Sequence, residues 1–313
     1  MPRIKHKVLV TPELAPIFRG KEDELAQRFA IITRVLDGQG LMTDSGTHGR
    51  RGYRGDYLFA WIGCTTPFEE RVWRVMAQLG SRLFFFVMDD GEDVTVEELV
   101  ESEQGPSYAE RLTASKQALH PFLTALFEAY GGVRGVKWDS TKDPRHVRES
   151  IARCATLLSA MRSEPAREGD PERNPGFTPA KKELPRRAFA ILRNIARAHA
   201  LVCGRTSLSE GDLPVVARVT ISSMPTDSRL AFAAFVESGE PVLTRDVRHR
   251  LGVKHPATAS KVLADLEGRG IVVNQPQGPG NPTLWTLHEK WRWCASPEFR
   301  ALLLGEPIKN QGV

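Results

Sequence analysis

The chain has 313 residues, 41% hydrophobic and 26% charged, with a formal net charge of +5 and a pI near 9.1. That length can bury more than one core, so two or three domains are expected, and the composition is that of an ordinary soluble globular protein. No apolar run approaches the roughly 18 residues of a membrane span. The basic start, Met1 to Lys7, leads into a short apolar stretch that ends at Pro12-Glu13, which is not a signal peptide. Cys64, Cys154, Cys203 and Cys294 are widely scattered, with no C-x-x-C pair. They read as reduced thiols of a cytoplasmic protein. The mild positive charge permits contact with nucleic acid without establishing it.

In chain order, Val8 to Val10 is a short apolar strand ending at Thr11-Pro12-Glu13. Residues 21–37 place Leu25, Phe29, Ile32 and Leu36 at helical spacing, and Gly38 closes that helix. From residue 38 to 56 the composition shifts to Gly, Ser, Thr, His and Arg, a loop or hairpin that projects. The apolar run 58–63 is expected to be a buried central strand, 68–79 an amphipathic helix and 82–88 a second buried strand. Strands alternating with helices favour an α/β sheet. Further helices are expected at 97–103, 108–130 and 144–162. Residues 163–184, rich in Pro, Gly and charge, form the clearest linker. A helical region runs from Pro185 to about Ser222, and Ser209 is placed to cap its second helix. The last segment reads as helices at 229–237, 244–251 and 256–269, then strands at 271–274 and 283–287 around a Pro- and Gly-rich loop. That order is the winged-helix plan.

Four elements carry a resemblance. They are Val8-Leu9-Val10-Thr11-Pro12-Glu13, Phe59-Ala60-Trp61-Ile62-Gly63-Cys64-Thr65-Thr66-Pro67, Leu79-Gly80-Ser81-Arg82-Leu83-Phe84, and Pro185-Arg186-Arg187 opening a helix into Ala198-His199-Ala200. In this order, over roughly residues 8 to 222, they resemble the second half of an AAA+ ATPase core with its helical lid, and the Arg82 element and the lid helix resemble those of the minichromosome-maintenance-type helicases. A G-x-x-x-x-G-K-[ST] loop is absent, because Gly20-Lys21 and Gly204-Arg205-Thr206 lack its spacing. The fold expected is an α/β partial AAA+ core (1–163), a linker (164–184), an α-helical lid (185–228) and a C-terminal winged-helix domain (229–313).

Nucleotide hydrolysis needs a carboxylate that orients water, a polar group near the γ-phosphate and cations that neutralise developing charge. The resemblance assigns these to Glu13, to Thr65 or Thr66, to Arg82 reaching a neighbouring subunit's γ-phosphate, and to Arg187 as lid sensor. Pro12 stands where the family has the Asp that organises magnesium. Read locally, Pro12-Glu13 equally starts a turn, and Arg82 equally is a surface residue at a strand start. An Arg suits the interface role because its guanidinium stays charged and binds phosphate oxygens in pairs.

The Gly-rich loop carries His48, Arg50, Arg51, Tyr53 and Arg54, residue types suited to phosphate contact and base stacking. In replicative helicases this slot holds a channel hairpin. The alternative is a metal or nuclease site built from Asp44, His48 and Asp56. In the last segment, Lys254, His255, Thr258, Ser260 and Lys261 lie on the helix that enters a DNA groove in a winged helix. The wing has no Lys or Arg between Gln275 and Leu287, so a protein-binding use stays open. Trp285, Trp291 and Trp293 are assigned to packing.

The sequence thus points to the C-terminal part of an AAA+ ATPase of helicase or DNA-remodelling type. ATP and Mg would be used in an assembly, either a homo-oligomeric ring or a pairing with a chain that carries the phosphate loop, with DNA as partner and no membrane. The alternatives are a non-enzymatic DNA-binding or adaptor protein on a degenerate ATPase scaffold, and a truncated gene product.

Overall fold

The structure is a computed structural model that describes residues 4–38, 41–45, 49–53, 58–79, 82–88, 95–163, 167–168, 176–177, 184–238, 241–275, 277 and 282–304. The described residues are mostly helical, with a few small sheets.

The N-terminal unit comprises β1 (Val8–Thr11), α1 (Glu22–Leu36), β2 (Leu41–Ser45), β3 (Gly49–Tyr53), β4 (Ala60–Gly63) and α2 (Glu70–Leu79). Glu22, Asp23 and Glu24 sit in the first turn of α1, where carboxylates complement the positive end of the helix dipole. Leu25 and Phe29, one turn apart, are buried against Val72, Trp73, Val75 and Met76 of α2. β1 and β4 pair in parallel, Val8 opposite Ala60 and Thr11 opposite Gly63. The Gly-rich segment is a hairpin, with β2 antiparallel to β3 and Asp44 opposite Arg50. Gly63 is needed where it stands, since a Cβ there would come 2.6 Å from Leu14 Cγ.

Two sequence expectations change here. The strands β1 and β4 are not buried on both faces: Val8 is 57% exposed, Val10 64% and Ile62 60%. Among the described residues this sheet has two strands, and helices cover one face of it. The run 82–88 is not a sheet strand. It is an extended strap whose main chain bonds to helices instead. Phe85 N–H donates to Ser223 Oγ at 2.8 Å, and Ser223 Oγ donates back to Phe85 O at 3.3 Å. The guanidinium of buried Arg162 donates to Leu83 O at 3.0 Å and Ser223 O at 2.8 Å, and lies 4.9 Å over the Phe84 ring. Side chains alternate along the strap, as extended backbone requires. Leu83 and Phe85 pack on the N-terminal core, and Phe84 packs on the helical core.

α3 (Val96–Gln104) and α4 (Tyr108–Ala129) follow, and no residue of the 22-residue α4 is buried. α5 (Arg145–Arg162) then opens the main hydrophobic core, which α6 (Arg186–Val202) and α7 (Leu213–Ser222) continue. α5 packs on both of these helices. Of the linker, the described part is a short antiparallel pair, β5 (Arg167–Glu168) with β6 (Gly176–Phe177).

The chain closes with α8 (Thr226–Ser238), β7 (Val242–Leu243), α9 (Thr244–Arg250), α10 (Pro256–Gly268), β8 (Val272–Gln275), β9 (Leu284–Leu287) and α11 (Pro297–Leu304). Their strands form one antiparallel sheet in the order β7-β9-β8. The core is continuous from Val147 through Leu263, Trp285 and Trp291 to Phe299. Trp285 Nε1 donates to Thr244 Oγ1 and Trp291 Nε1 to Gly270 O, so both indoles pack the sheet to its helices. Trp293 stacks edge-on against Phe299.

Arg162→Met should destabilise the protein by about 2–4 kcal/mol, because two main-chain carbonyls lose a charged donor. Arg145→Met, at the exposed start of the same helix, should stay within about 0.5 kcal/mol of the parent. Urea unfolding midpoints of the two variants check this.

Candidate functional site

The sequence-derived residues fall into four places. The first is the carboxyl edge of the parallel pair, where open α/β sheets bind ligands. Beyond the last paired residues, the two chains stay side by side: Cys64 N–H donates to Thr11 O at 3.1 Å and Leu14 N–H to Cys64 O at 2.8 Å. This brings Glu13 to the same edge as Thr65 and Thr66. Glu13 Oε1 accepts from Ala15 N at 2.7 Å, and Thr65 Oγ1 donates to Thr66 O at 3.0 Å. Glu13 and Thr66 are exposed and Thr65 is half-buried.

The second place is Asp37, at the C-terminal end of α1. Arg82 grips it in a bidentate pair, Nε to Oδ1 at 3.0 Å and Nη2 to Oδ2 at 2.6 Å. The Arg82 hydrogen bond, ahead of the opposing effect of burial, holds the Asp37 carboxyl below its ordinary range, and the charge of Arg187 adds to it. One of the expected phosphate-seeking arginines, Arg82, is therefore committed to a carboxylate of its own chain. Arg82 is folded inward, with its side chain only 13% exposed. Asp37 carries no local motif, and sequence reasoning did not single it out.

The third place is the hairpin. Arg50, Arg51 and Tyr53 occupy β3 positions opposite Asp44, Thr43 and Leu41, while His48, Arg54 and Asp56 lie outside the described residues. Among the described residues, no group of three His, Cys, Asp or Glu side chains converges as a metal site.

The fourth place is α10 with its neighbours. Pro256 opens the helix after His255, and Ala259, Val262, Leu263 and Leu266 form its buried stripe. Lys254, His255, Thr258, Ser260 and Lys261 are all exposed. The preceding helix α9 adds exposed Arg248 and His249; Arg245 lies 3.6 Å from Asp246, and Arg250 pairs with Glu237. These residues were not assigned from sequence, although the cluster Arg245 to Arg250 carries the signal. They supply basic charge that the segment from Gln275 to Leu287 lacks.

One polar cluster was not recognised as a cluster, although Ser209 was expected to cap a helix there. Gly204 (φ 74°) ends α6 in the left-handed conformation, and Arg205 N–H returns to Ala200 O at 2.8 Å, a Schellman-type closure. The turn aims the Arg205 guanidinium at Asp212, whose side chain is completely buried. Arg205 binds both carboxylate oxygens at 2.7 and 2.9 Å, His199 Nδ1 lies 2.7 Å from Oδ1, and Ser209 N–H donates to Oδ2 at 2.8 Å. Burial works against the Asp212 charge, but Arg205, His199 and Ser209 together hold its carboxyl below the ordinary range. The S-x-x-D spacing of Ser209 and Asp212 is the signal that could have found it.

Comparison with family models, curated proteins and solved structures finds no match to this chain. Among the described residues, no helix is long and apolar enough to cross a membrane.

Because the native Asp212 carboxyl titrates lower than it would in the unfolded chain, its contribution to stability is fully present above the ordinary carboxylate range. It is lost as pH falls through the native value. Asp212→Asn should cost about 3 kcal/mol near neutral pH, the low end for a broken buried pair because Arg205 and His199 are partly solvated. The difference from wild type should shrink towards pH 2. Chemical denaturation at several pH values measures it.

Proposed function

We propose that the chain is the C-terminal part of an AAA+ ATPase of helicase or DNA-remodelling type, ending in a winged helix that grips duplex DNA. The observation that carries the reading is the parallel β1–β4 pair. Its carboxyl edge gathers Glu13, Thr65 and Thr66, while Val8, Val10 and Ile62 leave its apolar surface open. Parallel sheets are normally covered on both faces, so this pair fits as part of a larger sheet whose remaining strands, and phosphate-binding loop, come from elsewhere in an assembly.

The donor set fits part of a magnesium nucleotide. Glu13 and the Thr65 and Thr66 hydroxyls suit the ion's water shell, and Arg82 and Arg187 suit phosphate oxygens. When bound, ATP supplies the transferable γ-phosphoryl group. For Arg82 to serve a neighbouring subunit it must first leave Asp37, which acts as its resting partner. The roles of α10 and the hairpin follow the same reading. Lys254 and Lys261 neutralise phosphates, His255, Thr258 and Ser260 approach base edges, and His48, Arg50, Arg51, Tyr53 and Arg54 contact the strand being moved. A ring of this chain, or a partner carrying the phosphate loop, is the assembly implied.

The second reading is a non-enzymatic winged-helix DNA-binding or adaptor protein. The inward-turned, carboxylate-paired Arg82 favours it. The two readings agree on duplex binding and differ on nucleotide.

Anisotropy of a labelled duplex over a salt series tests the shared part. The double variant Lys254→Glu, Lys261→Glu should bind more weakly and lower the log–log salt slope by about 2, one unit per lost phosphate contact. An unchanged slope removes α10 from the DNA interface. Repeating the titration with ATP and Mg separates the readings, because only the ATPase reading expects the nucleotide to alter duplex affinity in the assembled complex.

A further inference from the structure

The polar cluster at the end of α6 contains a feature that neither reading uses. Cys203 caps the C-terminus of α6 and is exposed. Its Sγ lies 4.0 Å from His199 Nε2, one helical turn earlier. The other imidazole nitrogen, Nδ1, is 2.7 Å from Oδ1 of wholly buried Asp212. Asp212 is fixed in turn by Arg205 and Ser209. An ionised carboxylate only accepts hydrogen bonds, so it places the imidazole proton on Nδ1 and turns the Nε2 lone pair towards the thiol. A nucleophile, a base and a group that orients the base are the three parts of an activated thiol.

We propose that Cys203 is a reactive cysteine, activated by His199 and Asp212, that forms mixed disulfides with low-molecular-weight disulfides such as glutathione disulfide. The Cys203 thiol gives its proton to His199 Nε2, and Asp212 stabilises the resulting imidazolium. The thiolate attacks one sulfur of the disulfide, the S–S bond breaks and a new one forms to Cys203 Sγ. The departing thiolate takes up the proton as free thiol. The Cys203 sulfur is oxidised and the departing sulfur reduced, so electrons and atoms balance.

Other titratable groups surround this site. Asp212 and Arg205 touch it directly. The pair His146–Glu210, at 3.0 Å, joins α5 to the same turn, and Tyr130 OH donates to Leu201 O at 3.3 Å from the end of α4. The chain also contains its own comparators. Cys64 is the other exposed thiol, while Cys154 and Cys294 are buried, burial pushing the Cys154 thiol up to about 12.

The test exposes the full, native chain to glutathione disulfide at pH 7 and follows each cysteine by peptide mass mapping. Cys203 should acquire the adduct about tenfold faster than Cys64 or more, the gain expected from a base and its orienting carboxylate held against the thiol. Cys154 and Cys294 should stay unmodified. His199→Gln, with helix content checked by circular dichroism, should bring Cys203 to the rate of Cys64. Equal rates at Cys203 and Cys64 in the wild-type protein overturn the proposal without any variant. An unchanged Cys203 rate in folded His199→Gln overturns the role of the histidine and the proposal with it.

Discussion

The guanidinium of Arg162 joins the two halves of this molecule. It is buried at the end of α5, where an unpaired charge would be strongly unfavourable, and it is satisfied by Leu83 O, Ser223 O and the face of Phe84. Those partners belong to the strap and to the end of α7. The strap then uses the alternation of extended backbone to place Leu83 and Phe85 in one core and Phe84 in the other. The N-terminal core is small and depends on added coverage, and Phe85 meets Phe68 and Trp73 edge-on at 5.3 and 5.1 Å. Removing the charged anchor would therefore loosen aromatic contacts that it never touches.

Buried carboxylates do the same work inside the helical body. Asp143 accepts from Leu208 N–H and Trp138 Nε1, with Arg197 at 3.6 Å. Asp212 gathers Arg205, His199 and Ser209. Together they tie the turn after α6 to the segment before α5 and to the start of α7. Such groups specify one arrangement because every alternative leaves a charge unpaired in a poor solvent. At Asp212 the structural role and the proposed chemical one coincide: the carboxylate that closes the turn also holds Nδ1 of the half-exposed His199, whose Nε2 lies 4.0 Å from Cys203 Sγ.

The proposed DNA and nucleotide surfaces have the opposite character. Lys254, His255, Thr258, Ser260 and Lys261 stand on α10 with their buried stripe satisfied and their polar side free for solvent or ligand. The open face of β1 and β4 has apolar side chains in water. Both are surfaces whose stabilising contacts would be made with another molecule, whereas Arg82, in its closed pair with Asp37, has made its contact within the chain.

Helices were legible wherever apolar spacing coincided with a punctuating residue. α1 stops at Leu36, capped by Asp37 before Gly38, α10 opens at Pro256, and the Gly-rich stretch between α1 and β4 is a hairpin. These features follow from backbone preferences that act within a few residues, and the helix–strand order of the last segment was readable for the same reason. The run 82–88 was not. A continuous apolar stretch fits a buried strand and a strap between two cores equally well, and only the packing of α5 and α7 chose between them. Arg82 likewise announced a charge but not its partner, which lies 45 residues away. The Cys203–His199–Asp212 alignment was hidden because Asp212 reaches back across a turn to α6. The sequence by itself determined which segments become helix or hairpin and which residues carry charge. Tertiary structure alone decided which charges meet, because pairing depends on chain reversals that leave no local periodic trace.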